Sequence, residues 1–339
     1  MTGKPTISVI LLSYNHEAFI SEALNSWFSQ DFPDFELVIA DDASTDRTRE
    51  IIAAELAKPR ASSVRIVERH QDQNVGVLAN VNSAMAACSG DIIVTAAGDD
   101  VSEPHRLRHA AEVFEADPTV FAVVANYTKI KGKGCILIDP GLRNNPGRHC
   151  YADEEVCVYA DSPVCGATSA YRAVLFREFG PMQSGAHGED NCYVLRALLL
   201  GAVFFDPRPS VRWRQHGANL FNHSNNAFSA AESRQRYLRF LRQHELMAPQ
   251  WEADISLAAE RGWLSSGRAA MIAQLARNEC AMHALDRCSL GAAEWAEWLK
   301  SAWPVVRMGR WNHVWRKFWL RLLPWKRARA WRRLANKRG

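Results

Sequence analysis

Long hydrophobic runs are missing from this chain of 339 residues, and none approaches the roughly 18 apolar residues of a membrane span. The apolar stretch nearest the N-terminus, Ile7 to Leu12, is too short for the core of a secretory signal and gives way at once to Ser-Tyr-Asn-His-Glu. A cytoplasmic protein, soluble or peripheral, is therefore expected. Paired cysteine motifs are missing too. The eight cysteines, at 88, 135, 150, 157, 165, 192, 280 and 288, form no C-x-x-C and no Cys/His spacing suited to zinc. Reduced thiols are expected. Glycine-rich phosphate loops are equally absent. No G-x-G-x-x-G follows the first apolar run and no G-x-x-x-x-G-K-[ST] occurs anywhere, which argues against a dinucleotide dehydrogenase and a P-loop NTPase. The last absence is of one sign of charge: Ser301 to Gly339 holds twelve of the 41 Lys/Arg and none of the 37 Asp/Glu. The net charge of +4 conceals a body with 29 basic against 37 acidic residues and a strongly cationic tail.

What is present suits more than one domain. Length and 47% hydrophobic content allow two units, each with its own core. Ile7 to Ser13 and Glu36 to Ala40 are β-branched apolar runs that read as parallel strands buried on both faces. Between them Phe19, Ile20, Ala23, Leu24, Trp27 and Phe28 recur at helical spacing, which makes a βαβ unit. Ser44-Thr-Asp-Arg-Thr supplies capping residues for a second helix, and Val64 to Val67 and Ile92 to Ala96 supply further strands. Ser102 reads as an N-cap, with Pro104 early in a helix through Ala116. Val120 to Tyr127 is a strand, Lys129 to Arg148 a loop or hairpin, and 188 to 200 a helix followed by short strands near 202–206 and 210–214. From about Asn226 the pattern is wholly helical.

Three of these strands end in polar side chains: Ser13-Tyr14-Asn15, Asp41-Asp42 and Asp99-Asp100. Ligands of open parallel sheets bind outside the carboxyl ends of the strands, so these groups are expected to share one crevice. Adjacent carboxylates repel, and a hard divalent cation, Mg²⁺ or Mn²⁺, shared with substrate phosphates would offset that repulsion. Each pair taken alone also fits simple helix capping, by Asp41 or Asp42 near Ser44 and by Asp99 or Asp100 near Ser102.

The ordered set Ser8-Val-Ile-Leu-Leu-Ser-Tyr-Asn15, Phe35-Glu-Leu-Val-Ile-Ala-Asp-Asp-Ala-Ser-Thr-Asp46, Asn74-Val-Gly76, Gly98-Asp-Asp100, Gly188-Glu-Asp190 and Arg214-Gln-His-Gly-Ala-Asn219 resembles family 2 of the inverting glycosyltransferases, of the bacterial surface-polysaccharide type. It covers about residues 5 to 222. The resemblance implies a GT-A fold, a Rossmann-like α/β domain with a mostly parallel open sheet flanked by helices, here followed by an all-α C-terminal region. It implies donor contacts at Ser13, Tyr14, Asp42, Asn74, Gly76 and Asp99, with Asp42 accepting a hydrogen bond from the base. Metal ligation falls to Asp100, Asp99 and His216, and catalysis to Asp190 as general base beside Glu189. Two positions depart from the family pattern: Ala97 stands where D-x-D has its first Asp, and Leu12 where Thr is frequent. The first leaves a metal fewer protein oxygens. Outside the family, carboxylates in the first turn of a helix are commonplace because they favour its dipole. Histidines 105, 109, 149, 187 and 223 are expected to be surface or packing residues. Gly166 to Arg172 resembles the acceptor-side strand, without an assigned contact.

The expected domains are a catalytic domain over 1–225, a helical region over 226–300 and a basic, Trp-rich amphipathic tail over 301–339. In the tail, Trp311, Trp315, Phe318, Trp319 and Leu322 fall on one helical face among Arg316, Lys317, Arg321 and Lys326, with a break expected at Pro324. Such a helix suits an anionic membrane surface; packing against the rest of the protein is the competing reading, and no nucleic-acid partner is expected. The function that follows is metal-dependent, inverting sugar transfer from a UDP-sugar to a glycan or lipid-linked acceptor in surface-polysaccharide synthesis, on the inner face of the cytoplasmic membrane. Two alternatives stay open: a non-catalytic membrane or polyanion-binding protein on a degenerate transferase domain, and a sugar nucleotidyltransferase.

Overall fold

The structure, a computed structural model, describes residues 6–59, 64–131, 135–138, 147–150, 166–183, 188–217, 219, 230–291 and 293–322. The break expected at Pro324, together with Trp325, Trp331, His187 and His223, lies outside the described residues. Two compact units divide the chain: residues 1–184 with 189–214, and residues 185–188 with 215–339.

In the first unit the elements run β1 (Ile7–Ser13), α1 (Ile20–Phe28), β2 (Phe35–Asp41), α2 (Thr48–Leu56), β3 (Arg65–His70), α3 (Val77–Ala87), β4 (Ile92–Ala97), β5 (Val101–Ser102), α4 (Arg106–Ala116), β6 (Val120–Lys131), β7 (Cys135–Ile138), β8 (Gly147–Cys150), β9 (Ser169–Arg172), α5 (Val174–Phe179), α6 (Glu189–Leu200) and β10 (Ala202–Gln215). The sheet order is β3-β2-β1-β4-β9-β6-β10-β5. The first four strands are parallel, as their continuous apolar runs imply. From β9 onward the pairing is antiparallel, so the sheet is mixed. Alternation along β1 and β2 sends Ile7, Val9, Leu11, Leu37 and Ile39 to one face, against Ile20, Leu24 and Trp27 of α1. Ile10, Val38 and Ala40 go to the other, with Ala84 of α3.

Three local expectations are corrected. Ser102 does not cap α4: it lies in the two-residue β5, paired with Val211 of β10, and its Oγ accepts a hydrogen bond from Arg106 at 3.0 Å. The strands expected near 202–206 and 210–214 are one strand. Pro207 and Pro209 are both exposed and two residues apart, so their missing N–H groups fall on the same side of β10 and the strand continues through them. The tail is not one helix up to Pro324, because the helical run is interrupted at Gly309.

The second unit holds α7 (Ala230–Leu246), α8 (Ala248–Glu260), α9 (Ser266–Gly291), α10 (Trp295–Arg307) and α11 (Trp311–Leu322). Leu285 and Cys288 of α9 pack with Trp298, Ala302 and Val305 of α10, and Val314 and Phe318 of α11 lean on them. Among the described residues no helix is long and apolar enough to cross a membrane.

Candidate active site

The register of the parallel strands aligns the sequence-predicted groups. Ser13 pairs with Asp41 across β1 and β2, and Leu12 pairs with Ala97 across β1 and β4, so Tyr14, Asp42 and Asp99-Asp100 leave the sheet along one edge. Asn15 and Ala43, the residues that turn the chain there, both adopt left-handed backbone, at φ 55° and 59°. Non-glycine residues held in that region cluster at functional sites. Crossed hydrogen bonds secure the turns: Asn15 N–H donates to Ser44 Oγ at 2.9 Å, and Thr45 N–H to Asn15 Oδ1 at 2.8 Å.

The two aspartates after β2 divide their labour. Asp41 is fully buried and accepts hydrogen bonds from Ser13 Oγ (2.9 Å), Ser44 N–H (2.9 Å) and Arg49 Nε (2.6 Å). Burial raises its carboxyl, but these bonds outweigh it and hold the group below the ordinary carboxylate range. Asp41 thus serves the turn. Asp42 reaches across to the loop before α3 and takes Val75 N–H on one oxygen at 2.7 Å and Gly76 N–H on the other at 2.9 Å. Gly76 enters α3 at φ 83°, where a side chain would be strained. Asn74 Nδ2 donates to the Asp42 carbonyl at 3.3 Å. Each Asp42 oxygen keeps a further lone pair, so the carboxylate can still receive a donor N–H. Asp42 N–H donates to the Ser13 carbonyl at 2.9 Å, and Tyr14, next along the chain, is 43% exposed. Ser13, Tyr14, Asp42, Asn74 and Gly76 therefore lie together.

Asp99 and Asp100 are buried at the end of β4. Gly98 before them has no room for a side chain: a Cβ would come within 2.9 Å of His16 Nδ1 and Ile20 Cδ1. His16 Nε2 lies 3.9 Å from Asp99. Asp100 accepts Arg214 N–H at 2.8 Å, and Arg214 Nε donates to the Asp99 carbonyl at 2.9 Å before its Nη2 reaches Glu22 of α1 at 2.5 Å. Burial and then the neighbouring Asp99 charge push the Asp100 carboxyl well above the ordinary range, against the pull of Arg214 and Arg106. Among the described residues no three His, Cys, Asp or Glu side chains gather as a ready-made metal cage. One or two buried carboxylates whose charges repel are still what Mg²⁺ or Mn²⁺ asks of a protein when substrate phosphates and water complete its octahedron. The donor set fits in that sense. His216 belongs to the second unit, where its backbone N–H donates to Asn219 Oδ1 at 2.5 Å.

Glu189 and Asp190 open α6, and the latter is held from two sides. Gly166 N–H donates to Asp190 Oδ2 at 3.1 Å and Asn191 N–H to Oδ1 at 2.8 Å. Burial pushes Asp190 up to about 6 despite these bonds. Burial and the Asp190 charge push Glu189 up to about 7.

The Gly166–Thr168 turn that grips Asp190 is tied to the segment around Asp99 and Asp100 by residues that sequence reasoning missed. Thr95 Oγ1 of β4 donates to the Gly166 carbonyl. Arg106, buried at the start of α4, donates from Nη2 to the Thr95 (2.6 Å) and Ala167 (2.7 Å) carbonyls and from Nη1 to Ser102 Oγ. Its guanidinium also lies 5.2 Å from the Trp27 ring. One signal was available: Thr95 is the lone polar residue in the run Ile92-Ile-Val-Thr-Ala-Ala97. Arg106, in an ordinary-looking Arg-Leu-Arg-His segment, gave none.

Residues 8–141 match the description glycosyl transferase family 2. That match spans the first four strands and the Asp99-Asp100 turn of the first unit. The glycosyltransferase alr2836 of Nostoc sp. is 28% identical over 230 residues, 67% of this chain and 69% of that protein. The poly(ribitol-phosphate) beta-N-acetylglucosaminyltransferase TarS of Staphylococcus aureus is 35% identical over 197 residues, 57% of this chain but only 32% of TarS. The crystal structure of TarS 1-349 in complex with UDP-GlcNAc matches with a TM-score of 0.55 over 90% of this chain and 92% of that one, at 17% identity. The mannosyltransferase PcManGT of Pyrobaculum calidifontis, in complex with GDP-Man and Mn²⁺, matches at 0.52 over 94% and 86%, at 19% identity. At such identities the likeness is one of fold. The chain therefore has the GT-A-like architecture that its sequence led us to expect, a mixed open sheet flanked by helices with an all-helical C-terminal region.

Proposed function

We propose that this glycosyltransferase moves a sugar, with inversion, from a UDP-sugar to a glycan or lipid-linked acceptor in surface-polysaccharide synthesis, using Mg²⁺ or Mn²⁺. It would work as a cytoplasmic protein peripheral to the inner face of the membrane. Catalysis is assigned to residues 1–225, with the helical 226–300 and basic 301–339 regions as appendages. The solved ligands of TarS and PcManGT support a nucleotide-sugar donor and a divalent ion.

Tyr14 offers its open ring to the base, Asp42 accepts a base N–H, and Ser13, Asn74, Gly76 and Asp99 line the nucleotide. Asp100 and Asp99 would hold the ion, which when bound neutralises the diphosphate as it leaves. In-line attack on the anomeric carbon needs the acceptor hydroxyl to lose its proton on the side opposite the diphosphate. Asp190 takes that proton. Glu189 lies beside it, its own carboxyl raised by burial and by the Asp190 charge.

The observation that carries this reading is the hold on Asp190: two backbone N–H groups fix its oxygens, and burial leaves its carboxyl near 6, which suits a base at neutral pH. Ala97, at the D-x-D position, favours instead a non-catalytic protein on the same fold. Hydrolysis and transfer assays over a panel of UDP-sugars with Mn²⁺ separate the two. Asp190→Asn is expected to lose about 10²- to 10⁴-fold in turnover while UDP still raises the melting temperature. Unchanged turnover in Asp190→Asn removes the base from this position; UDP binding without turnover on any donor supports the non-catalytic reading.

A further inference from the structure

The outer faces of α10 and α11 carry an aromatic surface that the second unit leaves uncovered. On α10, Trp298, Ala302 and Val305 point into the helical core, whereas Trp295, Leu299 and Trp303 are 44%, 59% and 60% exposed. On α11, Val314 and Phe318 pack inward, whereas Trp311, Trp315 and Leu322 are 63%, 58% and 42% exposed. Ring contacts join the two helices: Trp295 lies 6.0 Å from Phe318, Phe318 stacks on Trp315 at 5.6 Å, and Trp315 meets Trp319 edge-on at 5.5 Å. The patch therefore begins at Trp295, a full helix earlier than the residue pattern of the tail suggested.

Its charge is mostly positive, although Glu294 is exposed beside Trp295. Lys300, Arg307, Arg310 and Arg316 are exposed among these aromatics, and Arg307 lies 5.7 Å over the Trp303 ring. The acid Glu297 is bound by Arg287 at 3.1 Å. Beyond Leu322 the sequence adds seven Lys/Arg and no acid.

We propose that this face docks on an anionic lipid bilayer surface; the proposal names the surface on which the peripheral-membrane part of the functional reading rests. Indole rings and leucines want the headgroup boundary, and the cations want anionic headgroups. Helices of 13 and 12 residues extend about 20 Å each, short of the roughly 30 Å hydrocarbon core, so they lie in the interface rather than span it. A second copy of the chain is a poorer occupant, because a self-complementary contact would bring cation against cation. Nucleic acid would satisfy the cations but leave Leu299 and Leu322 without a partner.

The test is flotation of the full chain with vesicles of phosphatidylcholine alone and of phosphatidylcholine with phosphatidylglycerol. The wild type is expected to float with the anionic vesicles and to be released as salt rises. Arg310→Gln with Arg316→Gln is expected to weaken partition about fivefold per charge removed, and Trp311→Ser with Trp315→Ser to lose most of it. Helical circular dichroism and a melting temperature unchanged in both variants establish that the fold is intact without reference to UDP, which makes a failure here distinct from a failure of the transferase reading. The proposal is overturned if the wild type stays unbound to anionic vesicles, if the arginine variant floats as well as the wild type, or if the Trp variant loses only a concentration-dependent self-association.

Discussion

Arginine does opposite things in the two units. In the first, Arg106 and Arg214 are buried and bond to carbonyls, a hydroxyl and carboxylates that shape the loops around Asp99, Asp100 and Gly166. In the second, Arg307, Arg310 and Arg316 stand in solvent beside exposed tryptophans. A buried guanidinium must be fully bonded to be tolerated, so it acts as a rigid strut. An exposed one costs little and retains its charge for a partner. The same residue type therefore fixes loop geometry around Asp99 and Gly166 and stays exposed beside the tryptophans of α10 and α11.

The sharpest way to break that contrast is Arg106→Met. Three acceptors on β4, β5 and the Gly166 turn lose their donor at once, and the unfolding free energy is expected to fall by about 3 kcal/mol or more, read by urea melts. Asp42→Asn comes next. An amide can accept only one of the two N–H bonds from Val75 and Gly76 and turns a donor toward the other, a loss of about 1–3 kcal/mol, with weaker UDP binding in the same preparation. Third is pH. Asp190, at about 6, must be ionised to act, so turnover is expected to fall roughly tenfold per unit on the acid side of that value and to level off above it. A rate that stays flat down to pH 4 would sever the carboxylate from the chemistry.

How much of this was legible depends on the kind of physics involved. β1, β2 and β4 were readable because a strand buried on both faces must be an unbroken apolar run, and the polar residues that end such runs mark the sheet's ligand edge. The split between Asp41 and Asp42 was not readable, because it depends on which neighbour each carboxylate meets in space: Ser44 and Arg49 for one, the Gly76 loop for the other. Ser102 misled for a related reason. A Ser two residues before Pro104 has the local chemistry of a cap, yet pairing with Val211, over a hundred residues away, claims it for a strand. Arg106 was illegible altogether, since nothing local distinguishes a strut from a surface cation. In the tail, helical spacing found the aromatic face but placed Phe318 on it, where the structure turns that ring partly inward.

The smallest expected effect sharpens the contrast from the other side. Trp303 is 60% exposed on α10, and the Arg307 guanidinium lies 5.7 Å over its ring. Exposed cation–π pairs contribute about 0.5–1 kcal/mol, so Trp303→Ala is expected to change stability by no more than that. Trp298, five positions earlier, is 3% exposed and donates its indole N–H to Ser289 Oγ at 2.8 Å, so it belongs to the fold. A thermal melt of Trp303→Ala decides whether the outer tryptophans hold the helices together or are retained for something outside the chain. A loss of several kcal/mol would make Trp303 a packing residue and return α10 to an ordinary core helix. A near-neutral result, combined with weaker vesicle partition, separates adhesion from stability on a single helix.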